Sequence, residues 1–230
     1  MGDAVAVWAV VVAAGSGERL GAEQPKAFVA FGEDPLVAAS VAALDEHPAV
    51  DGIVLVVPEG WEERATFMCD EIGAGKVAVA VAGGPSRSDS VALGVAEVPA
   101  EAALILVHDA ARPNLPADLV DRVLAGFVDG PDGVVPGLEV ADTVKRVDAA
   151  GRIAETLPRA ELRAVQTPQG FRADVLRRAL AAPDRSSGTD CASLVERAGG
   201  DVRVVPGDPR CLKVTTRADL ERALELRLDG

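Results

Sequence analysis

Long apolar runs are absent from the 230-residue sequence. A helix that crosses a bilayer needs roughly 18 consecutive apolar residues, and no stretch of the chain approaches that length. The residues before the strand-like segment Val5–Val12 carry neither a basic leader nor a small-residue cleavage pattern. We therefore expect a cytoplasmic protein that does not associate with membranes.

Cysteine is scarce, and its spacing is irregular. The three cysteines, Cys69, Cys191 and Cys211, form no C-x-x-C pair, and their odd number argues against a disulfide framework. Only His47 and His108 could join them around a zinc ion, and these residues lack the spacing of a zinc site. We expect reduced thiols that pack inside the protein or have no role.

Lysine is nearly absent, in a chain whose net charge is −13. This charge argues against a nucleic-acid partner, because nucleic-acid-binding proteins present a basic face. Only four of the 23 basic residues are lysines: Lys26, Lys76, Lys145 and Lys213. An acidic protein that binds a polyanion must gather its cations in one place. The motifs around these lysines are therefore the first place to look for a site.

Short Val/Ile/Leu runs alternate with helical patterns along the chain. Continuous apolar runs are typical of strands buried on both faces of a parallel sheet. A helical face follows Pro116, and Thr216 is placed to cap a final amphipathic helix. The alternation predicts one α/β domain over residues 1–230, with a doubly wound, mostly parallel, Rossmann-like sheet. The predicted strands are Val7–Val12, Ile53–Val57, Val77–Val81, Leu104–Val107, Val134–Val135 and Val202–Val205.

A polar, alternating segment interrupts this pattern over about residues 137–163. Alternation of period two predicts strands with one solvated face, and the residues Ala149–Gly151 suit a turn. The segment is therefore predicted to form a β-arm that leaves the main sheet.

The first predicted strand ends in the glycine-rich segment AAGSGERL, residues 13–20. Such a segment lets backbone N–H groups approach a phosphate. It is not a dinucleotide fingerprint, because Leu20 stands at the third glycine position, nor a Walker A loop, which needs a lysine here. By itself, a glycine-rich turn is equally consistent with an ordinary loop that binds no phosphate. Arg19 and Lys26, the latter fixed by Pro25, favour a triphosphate site over two solvated surface charges.

The segment GGPSRSDSV, residues 83–91, follows the third predicted strand. Its double glycine and Ser90 suit contacts to a base or ribose. The alternative is an ordinary strand-to-helix turn with Ser88 or Asp89 as the N-cap.

The segment HDAARP, residues 108–113, places Asp109 at the carboxyl end of a central strand, where open α/β sheets bind ligands. Asp109 could orient substrate hydroxyls or support a metal ion. Arg112, three residues on, could instead be its structural ion-pair partner, and we interpret His108 as a packing residue. Finally, the segment KVTT is expected to deliver Lys213 from the last strand.

Eight segments, taken in chain order, resemble the 2-C-methyl-D-erythritol 4-phosphate cytidylyltransferases of the non-mevalonate isoprenoid pathway. These segments are AAGSGERL, PKAF, GGPSRSDSV, HDAARP, DTVK, QTPQGF, TDCAS and KVTT. The resemblance extends from Val7 to about Leu228. It implies transfer of CMP from CTP to 2-C-methyl-D-erythritol 4-phosphate, giving 4-diphosphocytidyl-2-C-methyl-D-erythritol and pyrophosphate. It also implies a homodimer whose β-arms interlock.

The same resemblance implies roles for individual residues. The implied catalytic cations are Arg19, Lys26 and Lys213. The implied nucleotide contacts are Ala13, Ala14, Gly15, Gly17, Gly83, Gly84, Ser90, Asp109 and Ala110. The implied substrate contacts, partly from the arm of a neighbouring subunit, are Asp109, Arg112, Thr143, Arg159 and Thr167.

The implied reaction needs alignment of two anions and stabilisation of developing charge more than it needs a general base. We expect Mg²⁺ or another divalent cation held mainly by the phosphates, with Asp109 as the one candidate protein ligand. Three positions depart from the family pattern: Val12 replaces a proline, Pro85 a polar residue and Cys191 an acidic residue.

Two other functions remain open. One is a cytidylyltransferase for another polyol phosphate, such as ribitol 5-phosphate. The other is a non-catalytic nucleotide-binding subunit. A glycosyltransferase is disfavoured, because the sequence has no D-x-D metal motif.

Overall fold

Strands and helices alternate along the chain, as the apolar runs predict. The computed structural model describes residues 5–15, 24–183 and 188–228. The strands are β1 (Val7–Val12), β2 (Ala30–Phe31), β3 (Asp34–Pro35), β4 (Gly52–Val57), β5 (Val77–Ala82), β6 (Leu104–Asp109), β7 (Gly133–Glu139), β8 (Lys145–Val147), β9 (Ile153–Thr156), β10 (Arg163–Val165), β11 (Gln169–Arg172) and β12 (Val202–Pro206). The helices are α1 (Leu36–Asp45), α2 (Glu62–Glu71), α3 (Arg87–Ala96), α4 (Ala117–Ala125), α5 (Ala173–Leu180), α6 (Cys191–Arg197) and α7 (Arg217–Leu228).

A mixed, mostly parallel sheet forms the centre of the described structure. Its strand order is β10-β7-β11-β6-β1-β4-β5, and β12 pairs with β7 off this path. The pairs β1–β4, β1–β6, β4–β5 and β7–β12 are parallel, whereas β11 runs antiparallel to both of its neighbours and β10 runs antiparallel to β7. The predicted α/β class and mostly parallel sheet are confirmed.

The central strands β1 and β4 have no charged side chain because helices cover both faces of the sheet. In β4, Ile53 and Leu55 pack with α1 and α2, whereas Val54 and Val56 point into the opposite core with α3. Side chains alternate between the two faces of a strand, so a strand covered on both sides can carry no polar stripe. This explains why these strands were predictable from continuous apolar runs.

The predicted arm is a β-hairpin outside the main sheet. Strands β8 and β9 pair only with each other among the described elements, and all their residues are exposed. The turn between them contains Gly151 at a φ of 77°, and the Asp148 carboxylate accepts the backbone N–H groups of Ala150 and Arg152. The predicted arm began at residue 137, but residues 137–139 remain in β7, because they pair with β10.

The segment that carries Lys213 is a loop between β12 and α7, so its prediction as a strand was wrong. Its backbone N–H groups form hydrogen bonds with separate partners and not with a neighbouring strand. The Val214 N–H donates to the Ala111 carbonyl at 2.8 Å. The N–H groups of Thr215 and Thr216 donate to the Asp219 carboxylate at 2.9 and 2.8 Å. Thr216 in turn accepts the Asp219 N–H, which confirms it as the cap of α7.

Helices of membrane-spanning length and apolarity do not occur within the residues that the structure describes.

Candidate active site

A cavity of about 690 Å³ lies where the parallel strands end. Strands β1 and β6 are neighbours in register, with Val12 opposite Asp109, so both chains leave the sheet at the same edge. Ala13, Ala14 and Gly15 continue from β1, and Ala110 and Ala111 continue from β6. The loop after β5 adds Gly84, Pro85 and Ser86, and helix α3 adds Arg87 and Ser90. The location agrees with the general position of ligand sites in open α/β sheets.

Two lysines distant in sequence line this one cavity. Lys26 reaches it from a short 3₁₀ turn, Lys26–Phe28, and Lys213 from the loop before α7. The buried Phe28 ring packs on Trp61 with centroids 4.5 Å apart, which fixes the turn and hence the backbone of Lys26. Of the three implied catalytic cations, Lys26 and Lys213 thus line one cavity, and Arg19 lies outside the residues that the structure describes.

Several other predicted residues share the cavity, and some do not. Besides the two lysines, it brings together Ala13, Ala14, Gly15, Gly84, Ser90, Asp109 and Ala110. The predicted residues outside the described lining are Gly83, Arg112, Thr143, Arg159 and Thr167. Arg19 and Gly17 lie outside the residues that the structure describes.

Small residues allow the strand ends to meet closely at the cavity. A Cβ on Gly83 would lie 2.3 Å from the Ala14 Cβ and 2.9 Å from the Ser90 Oγ. A Cβ on Gly84 would lie 2.6 Å from the Asp89 Cβ. The double glycine therefore brings the end of β5 against the segment after β1, and Gly83 acts from behind the cavity wall.

Helix α3 begins at the cavity with Ser86 as its N-cap, not the predicted Ser88 or Asp89. The Ser86 Oγ accepts the Asp89 N–H at 3.1 Å and donates to the Asp89 carboxylate at 2.7 Å. The cap lies one turn before Ser90, so the Ser90 Oγ is free to donate to the Ser86 carbonyl at 2.9 Å and to accept the Gly84 N–H at 3.1 Å. Ser90 thereby fixes the backbone of the glycine loop.

Asp109 lies between two cations at the cavity wall. One of its oxygens, Oδ1, accepts from Nε and Nη2 of Arg87 at 3.1 and 2.8 Å, and the other, Oδ2, accepts from Nζ of Lys213 at 2.7 Å. Burial alone would raise the pKa of this carboxyl, but the charges and hydrogen bonds of Arg87 and Lys213 outweigh burial and hold the pKa well below its usual range. Asp109 is therefore ionised at every physiological pH.

The predicted ion pair between Asp109 and Arg112 was wrong. The buried Arg112 guanidinium instead donates from Nη1 to the Cys211 carbonyl at 2.8 Å and from Nη2 to the Val165 carbonyl at 3.4 Å. Arg112 thus links the base of the arm to the loop that carries Lys213. Its Nε is the one buried side-chain polar atom without a hydrogen-bond partner in the described part of the chain.

Among the described residues, Arg87 is the charged residue of the cavity lining that the sequence analysis did not assign to the site. It belongs to GGPSRSDSV, a segment already selected for its glycines and Ser90. A signal was present: a cation in the first turn of a helix faces the positive end of the helix dipole, so it needs an anionic partner nearby.

His108 and Thr167 support the strand end from inside the protein. The Thr167 Oγ1 accepts the Asp109 N–H at 3.0 Å and lies 3.1 Å from Nδ1 of His108, whose Nε2 lies 3.2 Å from the Arg112 carbonyl. Complete burial lowers the pKa of His108 to about 4. The imidazole is therefore neutral, donates from Nε2 and accepts from the threonine hydroxyl at Nδ1. This arrangement agrees with the packing role assigned to His108.

Cys191 lies behind Arg87 at the start of α6. Its Sγ is 3.7 Å from Nη1 of Arg87, and burial raises the pKa of the thiol to about 11, so the thiol is neutral. Asp190 caps the helix through a reciprocal pair of hydrogen bonds with Ser193. Gln169 donates to the Asp190 carboxylate at 2.8 Å.

A cluster of three or more His, Cys, Asp or Glu side chains suited to a metal ion does not occur in the described ranges. Asp109 is the carboxylate that lines the cavity, and both of its oxygens already have cationic partners. This donor set fits a Mg²⁺ ion that phosphates carry and that one carboxylate assists, and it does not fit a cage made of protein ligands.

The predicted arm residues are exposed on their own chain. Thr143 lies just before β8, and Arg159 follows β9 and donates from Nη1 to the Ala141 carbonyl. Neither lines the cavity of the same chain among the described residues.

The fold and the cavity together define a class: an α/β protein with a cleft lined by basic side chains at the carboxyl edge of its parallel strands. The family within that class follows from comparison with known proteins. The family model described as "IspD: 2-C-methyl-D-erythritol 4-phosphate cytidylyltransferase" matches residues 7–227, and the chain belongs to this family.

Relatives and solved structures agree with the family. The chain is 48% identical over 223 residues to a 2-C-methyl-D-erythritol 4-phosphate cytidylyltransferase of Nocardia farcinica, covering 97% of this chain and 94% of the relative. It is 46% identical over 224 residues to the Rhodococcus jostii protein of the same name, with coverage of 97% and 96%. The solved structure of the Thermus thermophilus enzyme has a TM-score of 0.77 and 32% identity, covering 95% of this chain and 98% of that one.

Proposed function

We propose that this chain transfers CMP from CTP to 2-C-methyl-D-erythritol 4-phosphate, giving 4-diphosphocytidyl-2-C-methyl-D-erythritol and pyrophosphate. The proposal rests on one observation above all. Lys26 and Lys213, from opposite ends of an acidic chain, line one cavity together with Ala13, Ala14 and Gly15. Membership of the cytidylyltransferase family supports the proposal that this cavity binds a nucleoside triphosphate and a phosphorylated polyol.

In the proposed reaction, an oxygen of the substrate phosphate attacks the α-phosphorus of CTP. The new P–O bond forms as the bond from the α-phosphorus to the bridging oxygen breaks, and pyrophosphate leaves with that electron pair. A phosphate monoester is already an adequate nucleophile, so the protein mainly aligns two anions and stabilises charge. Lys26 and Lys213 are placed to do this, and we assign Arg19 and Gly17 to the same triphosphate.

The nucleotide is proposed to lie along the segments that follow β1, β5 and β6. Ala13, Ala14 and Gly15 leave room for phosphates, and a Cβ on Gly15 would meet no atom within 4 Å. The cytosine and ribose are proposed to contact Gly84, Ser90, Asp109 and Ala110, with Gly83 supporting them from behind. When bound, Mg²⁺ would neutralise phosphate charge, with Asp109 as its one candidate protein ligand.

The methylerythritol phosphate is proposed to bind at the junction between the cavity and a neighbouring subunit. Thr143 and Arg159 lie exposed at the two ends of the hairpin, which supports their action on the site of a second copy in a homodimer. Arg112 and Thr167 complete this part of the site, mainly by holding the Lys213 loop and the end of β6. We further propose that the protein acts in the cytoplasm and has no nucleic-acid partner, in line with its net charge of −13.

Pyrophosphate release tests the proposed function. The purified protein is supplied with CTP, Mg²⁺ and 2-C-methyl-D-erythritol 4-phosphate, and release is followed by a coupled assay. Parallel reactions omit the acceptor, replace it with ribitol 5-phosphate, or replace CTP with UTP. We expect release only with CTP and the methylerythritol substrate. Release with ribitol 5-phosphate alone would assign a different acceptor, and no release above background would overturn the enzyme proposal.

A further inference from the structure

Arg87 lines the cavity, but its guanidinium group contacts other side chains of the protein. Nε and Nη2 both donate to Oδ1 of Asp109, at 3.1 and 2.8 Å, and Nη1 lies 3.7 Å from Sγ of Cys191. The side chain is 27% exposed. With both edges of its guanidinium occupied, Arg87 is better placed to hold another residue than to contact a ligand.

The residue that Arg87 holds is Asp109. Strand β6 fixes the backbone of Asp109, and the Thr167 hydroxyl accepts its N–H at 3.0 Å. Two donors of one planar guanidinium then fix Oδ1, and a carboxylate fixed at its backbone and at one oxygen has its second oxygen fixed too. The direction of Oδ2 into the cavity is therefore set by Arg87.

Oδ2 in turn holds Lys213, whose Nζ lies 2.7 Å away. Lys213 needs such a partner, because it comes from a loop and its side chain is 41% exposed. A lysine ammonium on a flexible stem has many conformations, and the carboxylate selects the one at the cavity wall.

We propose that Arg87 is a positioning residue for CMP transfer, which orients Asp109 so that Asp109 holds Lys213 at the cavity. The inference rests on the proposed function and extends it by one residue. Arg87 occupies the unfavourable end of the helix dipole, and the Asp109 carboxylate offsets that cost. The Cys191 thiol is neutral, so the charge of the guanidinium is balanced by Asp109 and not by Cys191.

Substitution of Arg87 by methionine removes the orienting donors and keeps most of the side-chain volume. We expect Arg87→Met to lower kcat by roughly 10- to 100-fold, since a misplaced catalytic group carries a penalty of that order. The KM for CTP should change by less than about threefold, because the other phosphate contacts remain. Arg87→Lys should recover part of kcat, because one ammonium can still reach Oδ1.

Arg177 supplies the matched control. It is also half-buried and contacts the segment after the other end of α3, where its Nη2 donates to the Val98 and Pro99 carbonyls at 3.1 and 2.8 Å. Arg177→Met therefore removes a half-buried arginine without affecting Asp109. Its kcat should equal that of the unsubstituted protein, and the circular dichroism spectrum of each variant checks that it is folded.

A double-mutant cycle with Lys213 decides how Arg87 acts. If Arg87 works through Asp109 and Lys213, Arg87→Met should lower kcat by less than about threefold in a Lys213→Met background, because coupled residues are not additive. An undiminished loss in that background would overturn the proposal, and so would equal kcat values for Arg87→Met and Arg177→Met. If the unsubstituted protein releases no pyrophosphate, the proposed function itself fails, which is a distinct result.

Discussion

At the scale of single residues, charge balance dominates the site. Asp109 shares its carboxylate between Arg87 and Lys213, so the cavity wall is less positive than its basic side chains alone would make it. A triphosphate that approaches Lys213 must compete with this carboxylate for the ammonium. Lys26 lines the same cavity from a different part of the chain, the 3₁₀ turn Lys26–Phe28.

Loss of Lys26 should therefore reduce turnover directly. We expect Lys26→Ala to lower kcat by about 10²-fold or more, since loss of one preorganised charge partner costs roughly 3–4 kcal/mol. The measurement is kcat from pyrophosphate release at saturating CTP. Lys76→Ala is the control, because Lys76 donates to the His47 carbonyl at 2.8 Å and lies outside the cavity lining. An equal loss in both variants would contradict the assignment.

His108 should make stability depend on pH in a defined window. Its pKa in the folded protein is about 4, below the ordinary value of 6.5, because burial disfavours the cation. Between these values the unfolded state binds more protons, so stability is full above pH 6.5 and falls as pH drops towards 4. The expected slope is about 1.4 kcal/mol per pH unit from this residue.

Urea unfolding at a series of pH values between 4.5 and 7 measures that slope. Other groups titrate in this range too, so the comparison is with His108→Gln, which lacks the ionisable ring. The variant should be less stable at neutral pH but should show a shallower dependence. Identical slopes in the two proteins would rule out a buried, neutral His108.

The sequence did not show which charged residues of the site contact each other in the folded protein. Arg112 stands three residues from Asp109, and the two were paired for that reason, but the true partners are 22 and 104 residues away. Local sequence gives the type and order of the charged residues. The pairing depends on which strand ends meet, and no spacing within one motif encodes it.

At the scale of elements, the site is assembled from strand ends. The strands were predictable because burial on both faces leaves an uninterrupted apolar run. The Lys213 loop was mistaken for a strand because Val214 and its neighbours resemble one locally. Its backbone partners, Ala111 and Asp219, lie elsewhere in the chain, so the local pattern could not reveal the loop.

Gly83 should be the least tolerant position in the double glycine. Gly83→Ala places a Cβ 2.3 Å from that of Ala14, between two strand ends that cannot easily separate. We expect a loss of about 1–3 kcal/mol in the free energy of unfolding, as for overpacking in a core. Urea denaturation gives the value.

Two further variants test whether contact with Ala14 causes that loss of stability. Gly75→Ala is the control, because a Cβ there would meet no atom within 4 Å and its effect should be small. Combining Gly83→Ala with Ala14→Gly removes the opposing Cβ and should restore part of the stability. No recovery in the double variant would show that Ala14 is not the obstruction.

At the scale of the whole molecule, contacts within one chain do not explain why the arm extends from the main sheet. Its hairpin is exposed on both strands, including Val147 at 55% and Ile153 at 64%. The alternating pattern and the turn predicted the arm, whereas a homodimer with interlocked arms was implied only by the family resemblance. Quaternary contacts depend on surfaces whose local pattern resembles any solvated hairpin.

Subunit mixing tests whether the arm of one copy serves the site of another. Lys26→Ala and Arg159→Ala should each have low activity alone. In a mixed dimer, the Arg159→Ala protomer has an intact Lys26 and receives an intact Arg159 from its partner. Random exchange should then restore about a quarter of the normal activity, as symmetry-related sites require. No recovery, despite proven exchange of subunits, would place Arg159 in the site of its own chain.

The register between β1 and β6 also limits how this protein can change in length. Successive strand residues face opposite sides, so His108 points into the packed interior while Asp109 points to the cavity. Deleting or inserting one residue in β6 would exchange these two directions and present an imidazole where the carboxylate belongs. We expect insertions and deletions to be tolerated in the arm's turn and to be excluded from this strand.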